Sequence, residues 1–191
     1  MEGPDGRDQQ SVVYDEDAGQ WTSPFIMALI NTRVVRRSNA LTDFAYGKDF
    51  RYDESVLSGA GVSGKAKGMA AALSVGVLML DPKKSFIRRT VDKFLPDPGE
   101  GPSREKREAG FFAIRLIGLF GDGSKLEAKV KGDRDPGYGS TSKMLGESAI
   151  CLAQDGDKLP GQFGVLTPST AMGDALLARL QQNAGLSFQI V

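Results

Sequence analysis

The sequence contains no histidine and a single cysteine, Cys151. Without imidazole there is no Ser-His-Asp or Cys-His catalysis and no histidine-bound zinc. With one thiol there is no intramolecular disulfide and no thiolate metal cluster, which points to a reducing, cytoplasmic compartment. Net charge is absent as well, since Lys+Arg and Asp+Glu both number 24. That balance excludes the global basic field of a nucleic-acid binder. Nor is any hydrophobic run long enough to cross a bilayer: the uninterrupted stretch 69–80 falls short of the roughly 18 apolar residues required. The opening MEGPDGRDQQ is polar and acidic, unlike a secretory leader, and reads as a flexible lead-in over 1–10.

What is present fits a globular protein. The 191 residues are 40% hydrophobic and 25% charged, enough for one domain with a real core or two small ones. Val12 to Tyr14 reads as a short strand. Ser23-Pro24 reads as a cap and first helical residue, and helical spacing follows through Phe25, Met27, Leu29, Ile30, Val34 and Val35. A turn and a strand are expected through Phe50 and Tyr52. An apolar helix is expected from about Lys65, with a restart at Asp81-Pro82. The helix after it puts Phe86, Ile87, Val91, Phe94 and Leu95 on one side, opposite Arg88, Arg89 and Lys93, and stops at Pro96. The stretch PDPGEGPSREKREAG reads as a long polar loop.

The second half is clearer. FFAIRLIGLF and KLEAKVKGD flank GDGS, and the alternation of Leu126, Ala128 and Val130 with Lys125, Glu127, Lys129 and Lys131 marks a half-exposed strand. The hairpin over 111–133 predicts an α+β fold with a mostly antiparallel sheet and helices on one face. A helix capped by Ser140 or Thr141 carries Cys151 on its apolar side. Another opens at Thr167-Pro168-Ser169 and stops at Gly185. LSFQIV closes the chain as a strand.

Three stretches invite a functional reading. GAGVSG, 59–64, has the G-x-G-x-x-G spacing of a dinucleotide turn, with Asp81 where a ribose-binding acid would stand. Its lead-in RYDESVLS is too polar for a central parallel strand, and too few residues remain for a parallel crossover. The expectation is a turn before an apolar helix, with no nucleotide bound. The second stretch is GDRDPGYGSTSKML. Its helix N-terminus suits an anion, although most such ends hold only their own caps, and Tyr138 projects from the turn. The third is NTRVVRRSN. Arg33 and Arg37 share a helix face with Arg36 beside them, a spacing that clamps a carboxylate or phosphate or else pairs with Asp15, Asp17 or Asp43.

Three blocks, WTSPFIMALINTRVVRRSNAL, GDRDPGYGSTSKMLGESAICLA and GVLTPSTAMGDALLARLQQNAGLSFQIV, resemble the carboxyl-terminal half of saccharopine dehydrogenase-like oxidoreductases. That group includes the bacterial trans-acting enoyl reductases. The resemblance runs from about Ser11 to Val191. It implies one α+β substrate-binding and dimerisation domain over 11–191, with a helical insertion at about 65–95. The family's NAD(P)H-holding Rossmann domain has no counterpart in this sequence. The implied partners are a second copy, a Rossmann-domain polypeptide and a small-molecule or acyl substrate. Arg33, Arg36, Arg37 and Tyr138 fall in matching blocks and are the substrate-binding candidates: the arginines to position a carboxylate, thioester oxygen or phosphate, and Tyr138 to donate a proton. No catalytic residue, cofactor ligand or metal ligand is assigned.

A different class of function remains open. The apolar run joined to a basic amphipathic helix is also the pattern of a non-catalytic module docking on a membrane surface or a partner. On either reading, the run 69–80 needs cover from another subunit, a Rossmann half or lipid.

Overall fold

A computed structural model describes residues 7–81, 85–93 and 100–191. The chain is α+β and divides into two compact units, Met1–Asp97 and Pro98–Val191. Each carries its own three-stranded antiparallel sheet.

In the first unit, β1 (Val13–Asp15), β2 (Gln20–Pro24) and β3 (Ser55–Gly59) pair in the order β1-β2-β3. Tyr14 lies opposite Trp21, and their rings meet edge to face at 5.5 Å. Ser23 and Pro24, expected to open a helix, instead end the central strand β2, paired with Val56 and Ser55. Helix α1 (Ala28–Leu41) therefore starts later, after Met27. It is also turned against its sequence pattern. The buried side carries Ala28, Thr32, Ser38 and Asn39, while Leu29, Ile30 and Val34 face outward. The buried polar groups are bonded: Thr32 and Ser38 donate back to the carbonyls of Ala28 and Val34, and Asn39 Nδ2 donates to Gly47 O. No strand forms through Phe50 and Tyr52; the strand begins at Ser55.

Helix α2 (Gly61–Leu78) packs on β2 and β3. Its contact side is glycine because nothing larger fits. A Cβ on Gly64 would sit 2.0 Å from Gly59 O, and one on Gly68 would meet Val12 and Ser58 at 3.0–3.1 Å. Helix α3 (Phe86–Asp92) follows and touches α2. The expected restart at Pro82 and stop at Pro96 lie outside the described residues.

In the second unit, β4 (Phe112–Leu119) and β5 (Lys125–Gly132) form the expected hairpin, and β6 (Leu186–Ile190) pairs with β5. Directly opposed residues share a face, so Ile114, Val130 and Phe188 form one apolar row and Leu116, Ala128 and Ile190 the next. On the other face Arg115 holds Glu127 through two guanidinium nitrogens, Nη2 at 2.7 Å and Nε at 2.9 Å.

The stretch expected as a polar loop contains helix α4 (Arg104–Ala109), which opens on Ser103 and is laced by Arg104 to Glu108 at 3.0 Å. Helices α5 (Gly139–Gln154) and α6 (Pro168–Asn183) pack together around Cys151, Met172 and Leu176. Cys151 is fully buried, as expected, and burial pushes its thiol pKa up. Thr167 and Thr170 form a reciprocal capping box at the start of α6. Gly185 takes the left-handed turn after it, φ +71°.

Candidate functional site

The arginine-bearing helix α1 builds the most site-like region of the first unit. Thr32, one turn in from Ala28, is fully buried and aims its hydroxyl at the lead-in, 2.9 Å from Asp8 Oδ1. Arg33 follows on the exposed side, and its Nη1 donates to Asp8 Oδ2 and to Thr32 Oγ1, the latter at 2.7 Å. The guanidinium of Arg33, bonded to the carboxylate, holds the Asp8 pKa below its ordinary value. The expected partners of the arginines were Asp15, Asp17 or Asp43; the carboxylate that meets Arg33 is Asp8, from the stretch read as a lead-in. Gln9 also ties that stretch down, bonded to Thr22 and Ser11.

Arg36 and Arg37 are half-buried. Arg36 Nη2 donates to Tyr52 O at 3.2 Å. Nearby, Glu54 accepts from Tyr52 Oη and from Asn31 Nδ2, both at 2.9 Å. Burial first, then the Glu54 carboxylate, pushes the Tyr52 phenol pKa far up, so Tyr52 stays a neutral donor.

Between the start of α1, the lead-in and the end of α2 lies a cleft of about 300 Å³. Pro24, Phe25, Ile26, Leu29, Val75 and Met79 line it with apolar groups, and Arg7, Asp8, Gln9, Gln10 and Arg33 with polar and charged ones. Its lining combines apolar side chains with a guanidinium, the two kinds of group that a chain-like ligand with one polar terminus would need. The sequence marked Arg33 but not Asp8, Thr32 or the cleft wall, which come from separated segments.

Tyr138 belongs to the second unit. It is exposed, stands immediately before α5, and its ring lies against Gly101. The helix end beside it was expected to be capped by Ser140 or Thr141 and to suit an anion. The anion there is the chain's own. Asp135 Oδ1 accepts from the backbone N–H groups of Gly137 and Tyr138 at 2.9 and 3.1 Å, and Oδ2 from Gly139 at 2.6 Å. These bonds lower the Asp135 pKa. A second charged cluster joins α5 to α6. Arg179 bonds Asp155 through Nε and Glu147 through Nη1, and Lys158 adds a 3.2 Å contact to Asp155.

The GAGVSG turn does join a strand to a helix. The lead-in expected to be too polar for a central parallel strand contains β3, ending at Gly59, and α2 begins at Gly61. Yet β3 is an edge strand, antiparallel to β2. A dinucleotide turn belongs to parallel strands linked by a crossover helix, and every strand pair among the described residues is antiparallel. The three glycines act within the chain: Gly59 and Gly61 take positive φ, and Gly64 lets helix and strand backbones touch.

Among the described residues, no helix is long and apolar enough to cross a membrane. No cluster of three acidic, cysteine or histidine residues is placed to hold a metal there either. No family profile and no solved structure matches the chain. Curated relatives do. The chain is 46% identical over 178 residues to a Mycobacterium tuberculosis (strain H37Rv) protein provisionally named trans-acting enoyl reductase, covering 91% of this chain and 42% of that protein. It is 43% identical over 174 residues to the trans-acting enoyl reductase of Mycobacterium ulcerans, covering 87% and 40%. With the enzyme of that name from Mycobacterium bovis BCG the identity is 42% over 170 residues, covering 86% and 40%. The chain is thus similar to trans-acting enoyl reductases and spans about two fifths of their length.

Proposed function

We propose that the chain is the substrate-binding and dimerising part of a trans-acting enoyl reductase of the saccharopine dehydrogenase-like kind, not catalytic alone. The observation that carries this reading is 46% identity across 91% of the chain to a relative named for that activity. The apolar cleft supports it, since an acyl thioester has a long apolar chain and one polar end. In this reading the cleft takes the acyl chain, and Arg33, released in part from Asp8, donates to the thioester oxygen. Arg36 and Arg37 hold the helix and add positive potential. Tyr138, in the second unit, is a separate substrate-binding candidate with no part assigned in this cleft. NAD(P)H supplies the hydride and is held by a Rossmann segment outside this chain, because the antiparallel β3 does not build a nucleotide turn.

Calorimetry tests both halves of the reading. An enoyl thioester should bind the chain, and Arg33→Ala should weaken it about tenfold, the scale of a lost hydrogen bond to a charged group. NADPH should give no heat. NADPH binding abolished by Gly61→Val, or thioester binding indifferent to Arg33→Ala, would overturn it.

A further inference from the structure

We propose that Thr32 and Arg33 form a carboxylate seat at the first unit's cleft, that its external ligand is a linear acyl chain ending in a free carboxylate, and that Asp8 is a built-in competitor for that seat. The seat holds a carboxylate in the structure, that of Asp8. Its Oδ1 lies 2.9 Å from Thr32 Oγ1, and its Oδ2 accepts from Arg33 Nη1. One oxygen on a hydroxyl and the other on a guanidinium is a two-point grip on a planar anion. The grip is set by helix α1 itself. Thr32 is fully buried, with Oγ1 2.6 Å from Ala28 O. Arg33 Nη1 donates to the same Oγ1 at 2.7 Å. Groups fixed in this way are ordered before a ligand arrives, which lowers the cost of binding one.

Asp8 reaches the seat from a segment of another kind. It lies on chain without helix or strand, 24 and 25 residues from its two partners. Gln9 bonds that segment to Thr22 and to Ser11. A stretch held by side-chain contacts detaches at lower cost than the helix that carries the seat. The Arg33 side chain is 53% exposed, so an incoming anion can reach the guanidinium. The surroundings choose the rest of the ligand. Phe25, Leu29, Val75 and Met79 share the cleft lining with Asp8 and Arg33, and suit an acyl chain. Arg7 lies in the same lining, so two arginines face one aspartate and one positive charge is left over. That excess favours an anionic head over a neutral one. The seat goes beyond the enoyl reductase reading and does not depend on it.

The test is calorimetry of the full chain with octanoate and with 1-octanol, which has the same chain length and no charge. The parent should bind octanoate more tightly than octanol. Asp8→Asn should bind octanoate about tenfold more tightly than the parent, the scale of one hydrogen bond to a charged group, and octanol no more tightly. Arg33→Ala, at a half-exposed position, should bind the two alike. If Asp8→Asn does not melt cooperatively, the Arg33→Ala comparison decides. Octanoate affinity unchanged in a folded Asp8→Asn would overturn the proposal, because the ion pair would then be structural only. An equal gain for octanol would overturn it too, since the loosened segment would merely have opened the cleft. So would octanoate binding by neither parent nor Asp8→Asn, or a preference for octanoate that survives Arg33→Ala. Octanoate bound as expected with no binding of an enoyl thioester would sink the enoyl reductase reading and leave the seat standing.

Discussion

Asp155 closes helix α5, where the helix dipole is negative and a carboxylate is unfavourable unless cations hold it. Arg179 and Lys158 do so. The Arg179 guanidinium first, then the Lys158 ammonium, brings the Asp155 pKa from 3.8 down to about 2. Because the folded value lies below the unfolded one, the stabilisation is complete above pH 3.8 and is lost as pH falls toward 2. Asp155→Asn should therefore melt at lower temperature than the parent chain at about pH 5, with the gap closing as the parent's Asp155 takes up its proton. A gap that stays constant down the acid limb, in melts followed by circular dichroism, would show that the pairing contributes nothing. Asp135 illustrates the same chemistry at the other end of α5, where backbone donors rather than side chains stabilise the anion. A foreign anion at that helix end would have to displace it.

Among the elements, α2 and β3 depend most on a single atom's absence. Gly61 has φ +64° but open space around it, whereas Gly64 has an ordinary φ and no space at all. Gly61→Ala should cost about 1–2 kcal/mol, the strain of a left-handed residue. Gly64→Ala drives a methyl into the Gly59 carbonyl and should cost about 3 kcal/mol or more, since backbone must move. Urea unfolding of both variants decides it: if Gly61→Ala is the worse, the turn conformation matters more than the helix–strand contact. The sequence made the regular elements legible where pattern and burial agree. The hairpin, α6 with its Thr167 cap, and β6 stand where alternation, cap and glycine stop placed them. Helix α4 was invisible because REKREA has no apolar period; Ser103 and the Arg104–Glu108 pair hold it instead. The start of α1 was misplaced because Ser23-Pro24 fits a strand end as well as a cap. Its facing was misread because Thr32, Ser38 and Asn39 satisfy their polar groups within the fold. Of the site, the arginines were legible as a spacing. Asp8 was not, since a lone acid in a polar opening carries no periodic signal.

At the scale of the whole molecule, the hydrophobic residues buried among those described are few and mostly small: Ala28, Cys151, Met172, Leu176, Ala184 and Leu186. Large apolar side chains sit outside instead, and they are grouped. In the second sheet the apolar face is buried at its Gly132–Leu186 end and open at the other, where Ile114, Leu116, Leu126 and Ile190 stand exposed. Exposed patches of this kind mark contacts. A sheet face is self-complementary about a twofold axis, which suits a second copy. The proposed dimer places this open end at its centre. Ile190 pairs with Ala128 through its backbone but is 76% exposed in the single chain, so Ile190→Lys should leave the monomer fold intact. In the dimer it would bring a lysine into an apolar contact with no carboxylate opposite. An unpaired buried charge costs several kcal/mol, enough to weaken association by about a hundredfold or more. Light scattering should then show dimers for the parent chain and monomers for Ile190→Lys at the same concentration, with equal melting of the isolated unit's secondary structure. A parent chain that is monomeric at high concentration, or a dimer indifferent to the lysine, would mean that this face meets something other than its own copy.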